Sequence, residues 1–105
     1  MKVTNRIYLQ YSKPMKPQSE IIQLVIQERI NQEAKWGVQN HSPIEWCAIL
    51  MEEVGEMAKE AHEYHFRGKY YKDTGQLQRY EKELIQVAAV ALVMLESLER
   101  NEKSN

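Results

Sequence analysis

The segment Leu84 to Leu95, LIQVAAVALVML, contains a single polar side chain, Gln86. At the helical period its apolar residues cover the whole circumference rather than one stripe, and a helix of that kind has to be buried on all sides. Three helices of one short chain cannot easily enclose it. A bundle that shares helices between subunits can, and Ala88, Ala89 and Ala91 permit close approach of a neighbouring helix. The segment therefore predicts an all-α fold: a helical bundle of three main helices per chain, completed by self-association as a homodimer or homotetramer. The run is far too short to span a bilayer.

Size and charge narrow the field further. At 105 residues the chain is one domain by the usual size prior. A monomer this small buries a fairly low fraction of its surface, a limit that a subunit escapes. Lys plus Arg number 14 against 15 for Asp plus Glu, so no overall charge draws the chain to a nucleic-acid polymer or an acidic membrane. Any electrostatic function must be local. The single cysteine, Cys47, excludes an internal disulfide, and the opening MKVTNRIYLQYSKPMKPQ has no apolar core of signal-peptide length. These features predict a cytoplasmic protein.

Residues 1–18 form an arm with Pro14 and Pro17, in which the alternation Ile7, Leu9, Tyr11 predicts a brief strand or an extended segment lying on a partner. The bundle domain spans 19–101. Ser19 is a candidate N-cap, and Ile22, Ile26 and Ile30 recur at four-residue spacing with Ile21 and Val25 beside them, the pattern of an amphipathic helix that ends near Lys35, before Gly37. Ser42, Pro43 and Glu45 form a capping box with proline at N1, so a second helix starts at Pro43. It should run to about Phe66, because Gly68, Asp73, Thr74 and Gly75 carry turn chemistry. A third helix follows from near Gln76 to about Arg100, and 102–105 form a flexible tail.

The second helix carries Glu52, Glu53, Glu56, Glu60 and Glu63, with Lys59 as the cation among them. At roughly 100° per residue, Leu50, Val54, Met57, Ala61, Cys47 and Ala58 form its core face, and Glu53 and Glu60 stand on the border of that face. A solvated acidic face is the plain account, but such faces are normally interleaved with lysine. Like charges at i,i+4, as in Glu52/Glu56 and Glu56/Glu60, destabilise a helix by a few tenths of a kcal/mol per pair. Carboxylates clustered beside apolar residues call for a cation, and hard oxygen ligands suit Mg²⁺ or Mn²⁺. Gly55, unfavourable in a helix interior, marks close approach of a ligand or of another backbone.

On the third helix Glu83 and Gln86 are spaced i,i+3 and share a face. A buried glutamine alone reads as a core amide satisfied by its neighbours. Next to Glu83 and the acidic cluster it reads as part of a common polar site. His62 and His65 lack a glutamate three residues before them, so the E-x-x-H pattern of di-iron bundles is missing and both stand outside the site.

The run KWGVQNHSPIEW, then EEVGE, then EKELIQVAAVALVMLE resembles the MazG-like family of all-alpha nucleoside triphosphate pyrophosphohydrolases, over roughly Gln27 to Leu98. The family pattern is E-E-x-x-E on one helix and E-x-x-D on the next. Glu52, Glu53, Glu56 and Glu83 match it, and Gln86 stands where the family usually has aspartate. The resemblance implies Mg²⁺-dependent hydrolysis, with Mn²⁺ able to substitute, of a nucleoside triphosphate, deoxy and non-standard ones included, to the monophosphate and pyrophosphate. It implies Glu52, Glu53, Glu56, Glu83 and Gln86 as the metal-site residues, with one of the glutamates, Glu53 first among them, instead left free of the ion to orient or deprotonate the attacking water. It places Trp36, His41 and Trp46 near the base, and Arg79 and Lys82 are candidate partners of the triphosphate. The departure at Gln86 motivates a different reading, a catalytically weakened bundle that senses nucleotide or binds other proteins.

Overall fold

Pro17 and Gly37 bracket the first helix of the computed structural model, which describes residues 15–68 and 75–104. Helix α1 spans Gln18–Trp36. The expected cap at Ser19 lies inside the first turn instead. The extended Pro17 precedes the helix, and its carbonyl accepts the amides of Glu20 at 3.0 Å and Ile21 at 3.3 Å, so proline geometry starts the helix without a side-chain cap. At the other end Gly37 takes a φ of 77° and its N–H donates to the Glu33 carbonyl at 2.7 Å, closing the helix where a side chain would be strained.

Helix α2 spans Pro43–Glu63 and opens on the predicted capping box. The Glu45 amide donates to Ser42 Oγ at 3.4 Å and the Ser42 amide donates to Glu45 Oε1 at 2.9 Å. Those bonds to Ser42 hold the Glu45 carboxyl below its ordinary range. Beyond Glu63 the chain widens into a π-helical turn, Tyr64–Gly68, where a regular helix to Phe66 was expected. Helix α3 spans Gln76–Ser104, past the expected end near Arg100. No glycine or proline stops it there. The alternation of the N-terminal arm and the Asp73–Thr74 turn fall outside the described residues. Every regular element among the described residues is helical, and no helix is long and apolar enough to cross a membrane.

Helix α3 is the spine. α1 and α2 each pack along it, while their Cα atoms do not come within 8 Å of each other among the described residues. Beyond the buried Gln76 in its first turn, the buried positions accordingly lie on one side of α3, at Ala89, Val90, Val93 and Ser97, facing Trp46 from α2 and Arg29 from α1. Trp46 Nε1 donates to Ser97 Oγ at 3.2 Å, a satisfied polar pair in the interior. The loop after α1 is tied to the spine by Arg100 Nη2, which donates to the Gln39 carbonyl at 3.1 Å and to Asn40 Oδ1 at 3.3 Å. At the opposite end Gln76 Nε2 donates to the backbone carbonyl of Glu60 at 3.3 Å and to its carboxylate, which joins the first turn of α3 to the last turns of α2.

Among the described residues one side of the spine is left open. Leu84 and Leu98 are exposed and Leu95 is 65% exposed, on the face opposite the buried one. Leu77, Leu84, Ala91 and Leu98 recur there at seven-residue spacing with Ala88 and Leu95 between them, the register of a coiled-coil seam narrowed by alanine. The outer helices show the same thing. The isoleucine row that predicts α1 is largely exposed, and the one buried residue of that helix is Arg29. On α2 the predicted core face is turned partly outward, with Cys47 and Ala58 exposed, while Trp46 is buried and Glu53 and Glu60 are half-buried. Amphipathic pattern marks a face for burial, but among the described residues α3 is the one α-helix that packs on each outer helix.

Candidate metal centre and adjoining cleft

The open side between α1 and α2, floored by α3, is a cleft of about 370 Å³. Val90 and Val93 form its floor. α2 contributes Trp46, Ile49, Glu52 and Glu53, and α1 contributes Arg29, Gln32 and Trp36. Trp36, 59% exposed, stands at the rim with the Lys35 ammonium 4.7 Å from its ring centre.

Just beyond Glu53 the carboxylates converge. One oxygen from each of Glu53, Glu56 and Glu83 lies within 4.8 Å of the other two. The i,i+3 spacing of Glu53 and Glu56 puts both on one side of α2, and Glu83 meets them from the first turns of α3. Gln86, one turn further along α3, joins them. With its amide turned as these acceptors require, its nitrogen donates to Glu83 Oε2 at 2.9 Å and to Glu53 Oε2 at 3.2 Å. Burial first, then the charges of Glu56, Glu83, Glu52 and Glu28, holds the Glu53 carboxyl above its ordinary range. Glu83 is raised in the same way by burial, by the charge of Glu56 and a side-chain hydrogen bond with it, and by Glu60, partly offset by Lys82. Among the described residues, Lys82 is the one cation that counters this crowding of carboxylates at Glu83.

Comparison with protein families, with curated proteins and with solved structures finds no match to this chain.

The structure thus gathers Glu53, Glu56, Glu83 and Gln86 at one point. Glu52 is exposed on the cleft wall, outside that group, and reaches it only through its charge. Trp36 and Trp46 share the cleft with the acidic end. His41 does not. It packs edge-on against Trp46, with ring centres 4.7 Å apart, and lines a separate apolar groove with Cys47, Leu50 and Met94. Arg79 is engaged with Glu60, Nε to Oε2 at 3.5 Å, and donates to Gln76 Oε1 at 2.6 Å. Lys82 borders a smaller hollow between α1 and α3, beside Glu28 and Glu81.

Sequence reasoning found Trp36 but missed the rest of the α1 wall. Arg29 and Gln32 line the cleft, and the charge of Glu28, also on α1, acts on Glu53. A signal was available: Arg29, Gln32 and Trp36 lie at i, i+3 and i+7, and so on one face of α1. That face competes with the more conspicuous isoleucine row.

Proposed function

We propose that the chain is a cytoplasmic, Mg²⁺-dependent nucleoside triphosphate pyrophosphohydrolase of the MazG-like kind, releasing pyrophosphate and a nucleoside monophosphate. The observation that carries this reading is the convergence of the Glu53, Glu56 and Glu83 carboxylates within 4.8 Å at one end of a cleft whose other end is aromatic. The donor set fits the ion, being hard oxygen throughout, and burial and neighbouring carboxylates raise the Glu53 and Glu83 carboxyls, which a cation would relieve. Glu53, Glu56 and Glu83 would hold it, and Gln86 would turn its amide to offer the carbonyl oxygen. Bound Mg²⁺ supplies charge to the phosphate oxygens and acidifies a coordinated water.

The chain's own groups do the rest. Glu53, the glutamate that belongs both to the carboxylate group and to the cleft lining, would orient the attacking water and take its proton through the oxygen it does not give to the ion. Glu52, displaced from the group, keeps the acidic wall continuous along the cleft. Trp36 and Trp46 offer ring surface to a base, and Val90 and Val93 exclude water from beneath it. Lys82, next to Glu83, supplies a cation near the triphosphate end. Two copies meet through the leucine–alanine seam of α3, which covers the apolar face that one chain leaves open.

Incubation with a panel of ribo- and deoxynucleoside triphosphates and Mg²⁺, with product separation, tests the activity. Monophosphate and pyrophosphate in equal amounts are expected. Orthophosphate as the first product, or no turnover of any nucleotide, overturns it. Nucleotide binding without turnover would favour the second reading, a nucleotide-sensing bundle, for which the specific observation is the Gln86 amide already bridging Glu53 and Glu83.

A further inference from the structure

Arg29 is the unusual residue of the cleft. It is 8% exposed on a helix whose isoleucines are half in solvent, and it lines a cavity rather than the outer surface. Its Nε donates to Glu96 at 2.5 Å, and its Nη2 lies 3.7 Å from Glu33, so two carboxylates fix the plane of the guanidinium. A guanidinium carries five N–H donors in a rigid fork. Nε–H is committed to Glu96, and the terminal nitrogens have donors to spare for a cleft occupant.

The position of that fork along the cleft is informative. α3 rises about 1.5 Å per residue, so Val93, beside the Arg29–Glu96 pair, stands roughly 10 Å from Gln86 in the carboxylate group. That separation matches the reach from the reacting phosphate of a nucleotide to its base. Trp36 and Trp46 bound the same stretch of cleft with ring surface. On that scale Arg29 lies nearer the place a base would take than that of the phosphates.

We propose that Arg29 is the specificity residue of this cleft and selects nucleobases that present two adjacent hydrogen-bond acceptors. The inference rests on reading the cleft as a nucleotide site. Guanine and hypoxanthine offer such a pair at O6 and N7, and cytosine at O2 and N3. Adenine sets the N6 amino donor beside N7, and uracil and thymine alternate acceptor, donor, acceptor. A fork of N–H donors meets the first group with two parallel bonds and leaves one donor unmet, or facing another donor, in the second.

The test measures binding apart from turnover. Guanosine, cytidine, adenosine and uridine monophosphates are titrated into the full chain in EDTA, followed by quenching of Trp36 and Trp46 fluorescence and by calorimetry. Guanosine or cytidine monophosphate should bind at least about tenfold more tightly than adenosine and uridine monophosphates. The stronger of the two arms tells whether the cleft takes a purine or a pyrimidine. Arg29→Lys should abolish the preference, and Glu96→Gln, which keeps the guanidinium but loosens its anchor, should narrow it. Equal binding of all four, tighter binding of adenosine or uridine monophosphate, absence of binding, or an unchanged preference in a folded Arg29→Lys protein overturns the inference. Failure of the hydrolysis reading would appear elsewhere, as missing pyrophosphate in the presence of Mg²⁺ while the base preference persists.

Discussion

Glu53 and Glu83 hold their carboxyls above the ordinary glutamate value of 4.5, each because burial and neighbouring carboxylates disfavour the charge. Folding then takes up protons in the interval above that value, so the metal-free protein should lose stability as pH rises from about 4.5 towards neutrality through the folded-state values. Thermal melts in EDTA across this interval check the sign. Glu53→Gln should flatten the slope, and Mg²⁺ should remove it, because an ion bound only by the folded chain supplies the charge that protons otherwise bring. Glu63→Gln, outside the carboxylate group and paired with Arg67, should leave the Mg²⁺ response as it was. Gln86 gives the second prediction at this scale. Gln86→Asp deletes an N–H shared by two carboxylates and adds a charge beside them. The metal-free protein should lose about 1–3 kcal/mol, while the rise in Tm on adding Mg²⁺ becomes larger and half-saturation needs less of the ion. A variant of unchanged metal response would return Gln86 to the role of a core amide.

At the scale of elements, what could be read in advance was local chemistry. The Ser42–Glu45 box starts α2 where its residues say it must, because its bonds close within four residues of chain. Gly37 ends α1 for an equally local reason. The isoleucine row of α1 identified a helix but not its buried side, since pattern records which face is apolar and not which neighbour arrives. Arg29 was illegible for the complementary reason. A single arginine in a helix is ordinarily solvated, and its burial here depends on the distant Glu96, which no local spacing announces, together with Glu33 one turn on. The acidic group was legible in part. Glu53, Glu56 and Glu83 follow from spacing on two helices, whereas the outward place of Glu52 depends on how α2 turns against the spine. Trp46 is the element-scale test. Ser97→Ala strands its buried indole N–H, which should cost about 1–3 kcal/mol in denaturant melts. A neutral result would mean that the α2–α3 interface relaxes enough to satisfy the indole another way.

At the scale of the whole molecule, Leu84, Leu95 and Leu98 decide the outcome. Leu95→Lys places a charge on the exposed seam without touching the buried side of α3, so it should convert a self-associated species into a folded monomer by sedimentation, with helicity retained. A wild-type monomer at micromolar concentration would refute the seam as a subunit contact. A different consequence follows from the two outer helices meeting the spine but not each other. Energetically they are separate tenants of one support. Val25→Ala in α1 and Val54→Ala in α2 should therefore destabilise the free chain independently, their effects summing to within about 0.3–0.5 kcal/mol. A ligand that touches Arg29 on one wall and Glu53 on the other would end that independence. The departure from simple addition, measured with and without nucleotide, would then report how far the occupant of the cleft has made two loosely joined halves into one cooperative unit.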